Sequence, residues 1–73
     1  MKYAVEQRLR LIDFLLSQYG TVNRSAVMDF FGVSMPQASL DIQGYLALAP
    51  SNAAYCLTRK TYVRTADFKR VWT

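Results

Sequence analysis

At 73 residues, 52% of them hydrophobic, the chain is long enough for one packed domain and lies close to the lower size limit for folding without disulfides or metals. Its single cysteine cannot form an intramolecular disulfide, its longest apolar run is far shorter than a membrane span needs, and no signal peptide precedes the first helix, so we expect a soluble cytoplasmic domain. Without a histidine, a second cysteine or a glycine-rich phosphate loop, the composition argues against an enzyme, a metal site, a cofactor or a small-molecule ligand.

The net charge of +4 is concentrated at the C-terminal end of the chain. Residues 1–58 carry equal numbers of basic and acidic side chains, whereas residues 59–73 carry a single acidic side chain and several basic ones. The basic residues of this segment are Arg59, Lys60, Arg64, Lys69 and Arg70. Such a patch either contacts a polyanion or is an ordinary solvated surface, and charge alone does not distinguish the two interpretations.

The first predicted element is a helix from Tyr3 to Tyr19, where apolar residues recur at steps of three and four. The stripe expected to face the core is Val5, Leu9, Ile12, Leu16 and Tyr19. Gly20 follows at the position where a left-handed residue ends a helix at the lowest conformational cost. Asp13 on this helix and Asp29 on the next are isolated carboxylates, which we expect on the surface.

Two further helices follow. Asn23 is a suitable N-cap for a second helix, which Gly32 ends. Ser34 is a suitable N-cap for a third helix, in which Pro36 occupies the first turn and which runs to about Leu48.

After a break at residues 49–52, two short strand-like runs at residues 54–57 and 61–64 flank a hairpin tip at residues 58–60. Residues 65–73 form an extension that no local pattern places, and no domain boundary is evident within residues 1–73. The predicted fold is therefore mainly α with a small β-hairpin: three helices and then a two-stranded wing, a winged helix-turn-helix.

The second and third helices and the glycine turn between them have the spacing of a helix-turn-helix, which places its second helix in the DNA major groove. The buried face of this unit is predicted to be Val27, Phe31, Val33, Ala38, Ile42 and Tyr45. On this interpretation residues 35–48 form the recognition helix, and the wing at residues 55–64 lies on the DNA backbone or in the minor groove. Helix pairs with a glycine turn also occur in proteins that never contact DNA, so a protein-interaction module is the alternative.

If the third helix lies in the groove, its outer face supplies the base contacts. The candidate base-reading residues are Pro36, Gln37, Ser39, Leu40 and Gln43. Gln37 is the best of these because a carboxamide can pair bidentately with adenine. Asp41 is the only charge on this helix, so the phosphate contacts must come largely from elsewhere. The candidates for them are Arg24, Ser34, Arg59, Lys60 and Arg64. The alternative is that the candidate base-reading and phosphate-contacting residues are ordinary solvated surface without a role in binding.

The chain resembles the N-terminal winged-helix domain of WYL-domain transcriptional regulators from about Tyr3 to Phe68. The resemblance rests on the run Phe31-Gly32-Val33-Ser34-Met35-Pro36-Gln37-Ala38-Ser39-Leu40-Asp41, followed by Tyr45, Ala49-Pro50, Asn52, Tyr55, Lys60, Tyr62-Val63 and Phe68. It implies operator binding as a homodimer, commonly as a repressor, with Gln37 and Ser39 on the recognition helix and Lys60 on the wing. No WYL sensor lies within these 73 residues, and Lys69-Arg70-Val71 stands where a proline is usual in the family. The sequence is therefore either a domain excised from a longer regulator, with residues 65–73 leading to its sensor, or a stand-alone small regulator, and effector sensing is not attributed to it.

Apolar surface on the first helix also bears on assembly. Leu11, Phe14 and Leu15 add to a stripe that already fills the core of so short a chain. Either the C-terminal segment with Phe68 and Trp72 folds back over them, or a second copy covers them. From this surplus we expect a homodimer, with these five residues as the candidate contacts.

Overall fold

The computed structural model describes residues 2–72, so residues 1 and 73 of the predicted domain lie outside the described part. The helices are α1 (Tyr3–Tyr19), α2 (Arg24–Phe31) and α3 (Met35–Leu48), and the strands are β1 (Thr21–Val22), β2 (Ala53–Cys56) and β3 (Thr61–Arg64). The predicted three helices and hairpin are confirmed. The sheet also contains β1, which the sequence analysis did not predict. Its strand order is β1-β3-β2, and both pairings are antiparallel.

The predicted helix ends are confirmed by their cap geometry. Gly20 and Gly32 both adopt left-handed conformations, with φ of +76° and +66°. The side chain of Asn23 accepts a hydrogen bond from the Ala26 backbone N–H at 2.9 Å, and Ser34 Oγ accepts one from the Gln37 N–H at 3.3 Å. Each side chain therefore satisfies a backbone donor that has no partner within its helix.

The core lies where the three helices meet the sheet. Its buried apolar members are Leu9, Ile12, Leu16, Val22, Val27, Ala38, Ile42, Tyr45 and Ala53. Two residues predicted to be buried are not: Tyr19 and Phe31 are 72% and 36% exposed. Each is the last residue of its helix, before a glycine that turns the chain away, so no following turn of that helix shields it.

Asp13 is the main correction to the sequence analysis, because it is fully buried rather than on the surface. Its carboxylate accepts hydrogen bonds from the Tyr45 hydroxyl and the Arg70 Nε, both at 2.6 Å. It also accepts from the backbone N–H groups of Val71 and Trp72, each at 3.1 Å. The prediction for Asp29 holds, since that residue is exposed.

These contacts determine the position of the C-terminal extension, which no sequence pattern predicted. Asn52 Nδ2 donates to the Tyr45 hydroxyl and to the Lys69 carbonyl, while Asn52 Oδ1 accepts from the Lys69 N–H. Phe68 and Trp72 pack against the core. The hydrogen-bonded set Asp13, Tyr45, Asn52 and Arg70 is called the tail lock below, because it holds residues 68–72 against α1 and α3.

Candidate nucleic-acid interface

The outward face of α3 is uncharged and partly apolar. Pro36, Leu40 and Gln43 are exposed, and Leu40 is 61% accessible. Gln37 and Ser39 are half-buried and lie at the two flanks of this face, each next to a buried residue. The five predicted base-reading residues therefore share one surface, with Gln37 on one flank and Ser39 on the other.

A hollow of about 260 Å³ lies between the Ser39 flank of α3 and the wing. It is lined by Asn23, Arg24, Ser39, Ile42, Gln43, Tyr55, Lys60 and Tyr62. Two of these residues are basic and none is acidic, so the hollow suits an anion. It brings together four residues that the sequence analysis singled out separately, namely Arg24, Ser39, Gln43 and Lys60. Within it, Arg24 Nη1 lies 3.5 Å from Ser39 Oγ.

The wing carries exposed basic residues at its tip. Leu57–Lys60 connects β2 to β3, and both Arg59 and Lys60 are exposed as predicted. An edge-on contact between the Tyr55 and Tyr62 rings, with centroids 5.0 Å apart, stabilises the hairpin behind the tip. The tip therefore projects from a defined two-stranded base.

The Gln37 flank contains a polar chain that the sequence analysis did not foresee. Gln37 Nε2 donates to Asp41 Oδ1 at 2.9 Å, and Arg8 Nε on α1 donates to Asp41 Oδ2 at 2.6 Å. Asp41 is only 3% exposed. The spacing of four between Gln37 and Asp41 is a local signal for the first contact. The second joins residues 33 positions apart, and no local pattern predicts it.

Two predicted phosphate contacts have partners within the chain. Arg64 Nη1 donates to the carbonyls of Leu16 and Ser17 at 3.3 and 2.8 Å, so it caps the C-terminus of α1. Its guanidinium also lies 5.9 Å from the centre of the Phe68 ring. Ser34 Oγ is the acceptor that caps α3. The fold thus gives both side chains structural roles.

The candidate dimer residues lie around α1 and the tail. Leu15, Phe68 and Trp72 are partly buried against the core, and Leu11 is half-buried. The tail contacts α1 at Arg10 and Asp13, between and beside the candidate residues. Phe14 remains 44% exposed.

The helices of the described residues are too short or too polar to cross a membrane.

Comparison with known proteins gives consistent matches over almost the whole chain. Residues 4–73 match the family model described as the BrxR transcriptional regulator winged helix-turn-helix domain. The DNA-binding transcriptional repressor CapW of Pseudomonas aeruginosa is 46% identical over 71 residues, and CapW of Escherichia coli strain KTE188 is 44% identical over the same length. CapW of Stenotrophomonas maltophilia is 38% identical. Each alignment covers 97% of this chain and 24% of the relative, so the chain spans about a quarter of these proteins.

Proposed function

Because the chain belongs to the family of BrxR-type winged helix-turn-helix domains of transcriptional regulators, we propose that it binds duplex DNA sequence-specifically and represses transcription. Family membership agrees with the sequence-based expectation of a regulator rather than an enzyme. The observation that carries the proposal is the hollow between α3 and the wing, where Arg24 and Lys60 flank an uncharged helix face. Basic groups at the edge of a neutral reading surface allow phosphate attraction and base readout to come from different residues.

In this proposal α3 enters the major groove and its exposed face reads base edges. Gln37 pairs with a base, while Pro36 and Leu40 contact thymine methyl groups. Ser39 and Gln43 lie beside the hollow, where they contact either a base edge or a phosphate.

The backbone contacts come from Arg24 and Lys60 in the hollow and from Arg59 at the wing tip. We exclude Arg64 from this set, because two carbonyl groups of α1 already hold its guanidinium. Ser34 contributes mainly by capping α3, which leaves the start of the recognition helix ordered for docking.

The test is duplex binding over a salt series with the Arg59→Ala/Lys60→Ala double variant. Loss of two phosphate contacts should weaken binding to all duplexes and reduce the slope of log affinity against log salt by about 1 to 2. The matched control is Lys2→Ala/Lys69→Ala, which removes the same charge at exposed positions outside the hollow. Equal slopes for both double variants and the parent would contradict the wing contact. Failure to select any preferred site from random duplexes would contradict sequence-specific binding.

We also propose that the chain acts as a homodimer, which would give the uncharged reading face two half-sites about 34 Å apart. The exposed part of Phe14 is the best-placed contact for a second copy. Light scattering over a concentration series should show a dimer for the parent and a monomer for Phe14→Glu. Tyr3→Glu is the control, since Tyr3 is also exposed on α1 but lies outside the candidate set. A parent that remains monomeric at high micromolar concentration, with and without DNA, would contradict the dimer.

A protein-interaction module is the second candidate, favoured by two adjacent aromatic residues at the end of α2. The ring centres of Phe30 and Phe31 are 5.3 Å apart, and Phe30 is 70% exposed. If a Phe30→Ser variant retained DNA affinity but lost a partner protein, both functions would be present. If the parent bound no duplex, this candidate would replace the first.

A further inference from the structure

The polar chain on the Gln37 flank connects α1 to the proposed reading face through a buried carboxylate. Asp41 uses its two oxygens for different partners: Oδ2 accepts from Arg8 and Oδ1 accepts from Gln37. The side chains of Arg8 and Asp41 are 13% and 2% exposed, so this part of the chain is largely shielded from water. Gln37, in contrast, is only half-buried.

The chemistry of Asp41 fixes which end of the Gln37 amide faces inward. An ionised carboxylate has acceptors only, so it can be contacted by the amide nitrogen of Gln37 but not by the amide oxygen. Arg8 has donors only, and its contact with Oδ2 keeps the carboxylate in place. Gln37 Oε1 is therefore turned away from Asp41. The second amide proton of Nε2, which does not donate to Asp41, lies beside this oxygen.

This remaining pair of groups has a definite base preference. Adenine presents an acceptor at N7 and a donor at N6 in the major groove, which matches one amide proton and one amide oxygen. Guanine presents two acceptors, N7 and O6, so the fixed Oε1 would face an acceptor there. An amide free to rotate could instead direct its NH₂ group at both guanine acceptors.

We propose that Asp41, held by Arg8, is a specificity-determining positioning residue that orients the Gln37 amide so that it selects adenine over guanine. The inference rests on the proposed function, because it concerns how that same reading face chooses its site. It also accounts for an acidic residue on a DNA-facing helix. The carboxylate is buried and paired, so Arg8 offsets its repulsion of phosphates.

The deciding variant is Asp41→Asn. The asparagine oxygen can still accept from Arg8, which leaves its NH₂ group to face Gln37. Gln37 must then turn its oxygen inward and its two amide protons outward, which is the pattern that matches guanine. We expect the preference for adenine over guanine at the base pair read by Gln37 to fall by about tenfold or more and to shift toward guanine.

The experiment measures the affinity of the 73-residue chain for a preferred duplex and for versions with each base pair substituted. Gln37→Ala first identifies the base pair at which its preference is lost. The control is Asp29→Asn, which makes the same change of charge at an exposed position on α2 and should leave every preference unchanged. An Asp41→Asn variant that retains the parent's adenine preference at that base pair would overturn the inference.

Further measurements separate this inference from the proposed function. If the parent selects a site but Gln37→Ala alters no preference, the inference fails and the proposed function stands. If the parent selects no site, the proposed function fails. In the free protein, the side-chain amide resonances of Gln37 should show one slowly exchanging proton, and Asp41→Asn should abolish it. If Asp41→Asn does not fold, Asp41→Ala removes the acceptor and frees the Gln37 amide to rotate, and an unchanged base preference in that variant would overturn the inference.

Discussion

Asp13 and Asp41 are both helical carboxylates, both at most 3% exposed, and each is paired with an arginine Nε at 2.6 Å. Their surroundings differ. Within residues 2–72, the donors to Asp13 come from the core or the tail, and together they hold the tail in place. One donor to Asp41 is Gln37, which keeps unused polar groups at the surface. A buried carboxylate therefore holds the tail in the first case, and in the second it contacts the side chain that we propose it positions for DNA.

The two networks meet on α3, which carries both Tyr45 and Asp41. Tyr45 donates to Asp13, and burial together with this hydrogen bond raises the pKa of the Tyr45 hydroxyl above its usual value. The inner face of α3 is thus fixed to the tail, while its flank is fixed to α1 through Arg8. Variants of the two carboxylates should separate these roles.

The largest expected effect is that of Asp13→Ala on stability. The substitution leaves the Tyr45 hydroxyl, the Arg70 guanidinium and two backbone N–H groups without their acceptor. Loss of one partner from a buried ion pair costs about 3–5 kcal/mol in the free energy of unfolding. Urea unfolding followed by circular dichroism would measure this loss. Trp72, the only tryptophan, reports directly on the tail through its fluorescence.

Asp29→Ala is the matched control, because Asp29 is exposed and its truncation should change stability by no more than about 0.5 kcal/mol. Equal stability of the two variants would show that the tail is held by apolar packing rather than by the tail lock. Any Asp13→Ala protein that remains folded should retain the parent's base preference.

Asp41→Ala should destabilise the fold less, by about 2 kcal/mol, while altering base preference more. It removes the acceptor of two side-chain donors, Arg8 and Gln37, whereas Asp13→Ala removes the acceptor of the fully buried Tyr45, of Arg70 and of two backbone N–H groups. Urea unfolding and duplex selection on the same preparation would compare the two effects. If Asp41→Ala cost more stability than Asp13→Ala and left base preference unchanged, the assignment of roles would be reversed.

Acid should weaken the tail lock without any substitution. Burial raises the pKa of Asp13, but hydrogen bonds from Tyr45, Arg70, Val71 and Trp72 outweigh burial and hold the pKa below its usual range. The stability that Asp13 contributes is therefore present above its unfolded value of about 4 and is lost as pH falls toward the lower folded value. Protonation keeps the side chain in place, so the loss is smaller than that of either truncation.

Urea unfolding between pH 7 and pH 3 would measure this dependence, with Asp13→Asn as the comparison. The asparagine variant should be less stable at pH 7 and should lose less stability on acidification. A parent and variant with parallel pH profiles would show that Asp13 has no depressed pKa.

Sequence signals predicted the parts of this molecule that depend on neighbours along the chain. The caps at Asn23 and Ser34 and the left-handed glycines at positions 20 and 32 are each specified within a few residues, and the structure confirms them. The strand pair of the wing is similarly local. β1 has only two residues, too few for any alternation pattern to reveal, and it becomes a strand because β3 pairs with it.

Apart from Tyr19 and Phe31 at the helix ends, the errors concern contacts between distant residues. Asp13 has the local pattern of a surface carboxylate, yet its partners at the tail are 57 to 59 positions away. No sequence pattern predicted the hydrogen bond from Arg8 to Asp41 either. Exposure of candidates such as Arg59 and Lys60 was predictable, but the hollow that unites Lys60 with Arg24 depends on how the wing packs beside α3.

The smallest expected effect concerns Arg10, which also touches the tail. Its guanidinium lies 5.5 Å from the centre of the Trp72 ring, and it forms a 3.2 Å ion pair with Glu6 at an exposed position. A cation–π contact of this kind contributes about 0.5–1 kcal/mol. Arg10→Gln removes both contacts and should therefore reduce stability by no more than about 1.5 kcal/mol and leave Trp72 docked.

Fluorescence of Trp72 during urea unfolding would measure the Arg10→Gln effect. Glu6→Gln breaks the ion pair without touching the ring and should have a smaller effect, since exposed pairs of this spacing contribute about 0.3–0.5 kcal/mol. Suppose instead that Arg10→Gln released Trp72 as completely as Asp13→Ala does. The surface stacking contact would then hold the tail, and the buried carboxylate would have only a secondary role. If Trp72 stays docked in Arg10→Gln and is released in Asp13→Ala, the tail lock is what holds the tail in place.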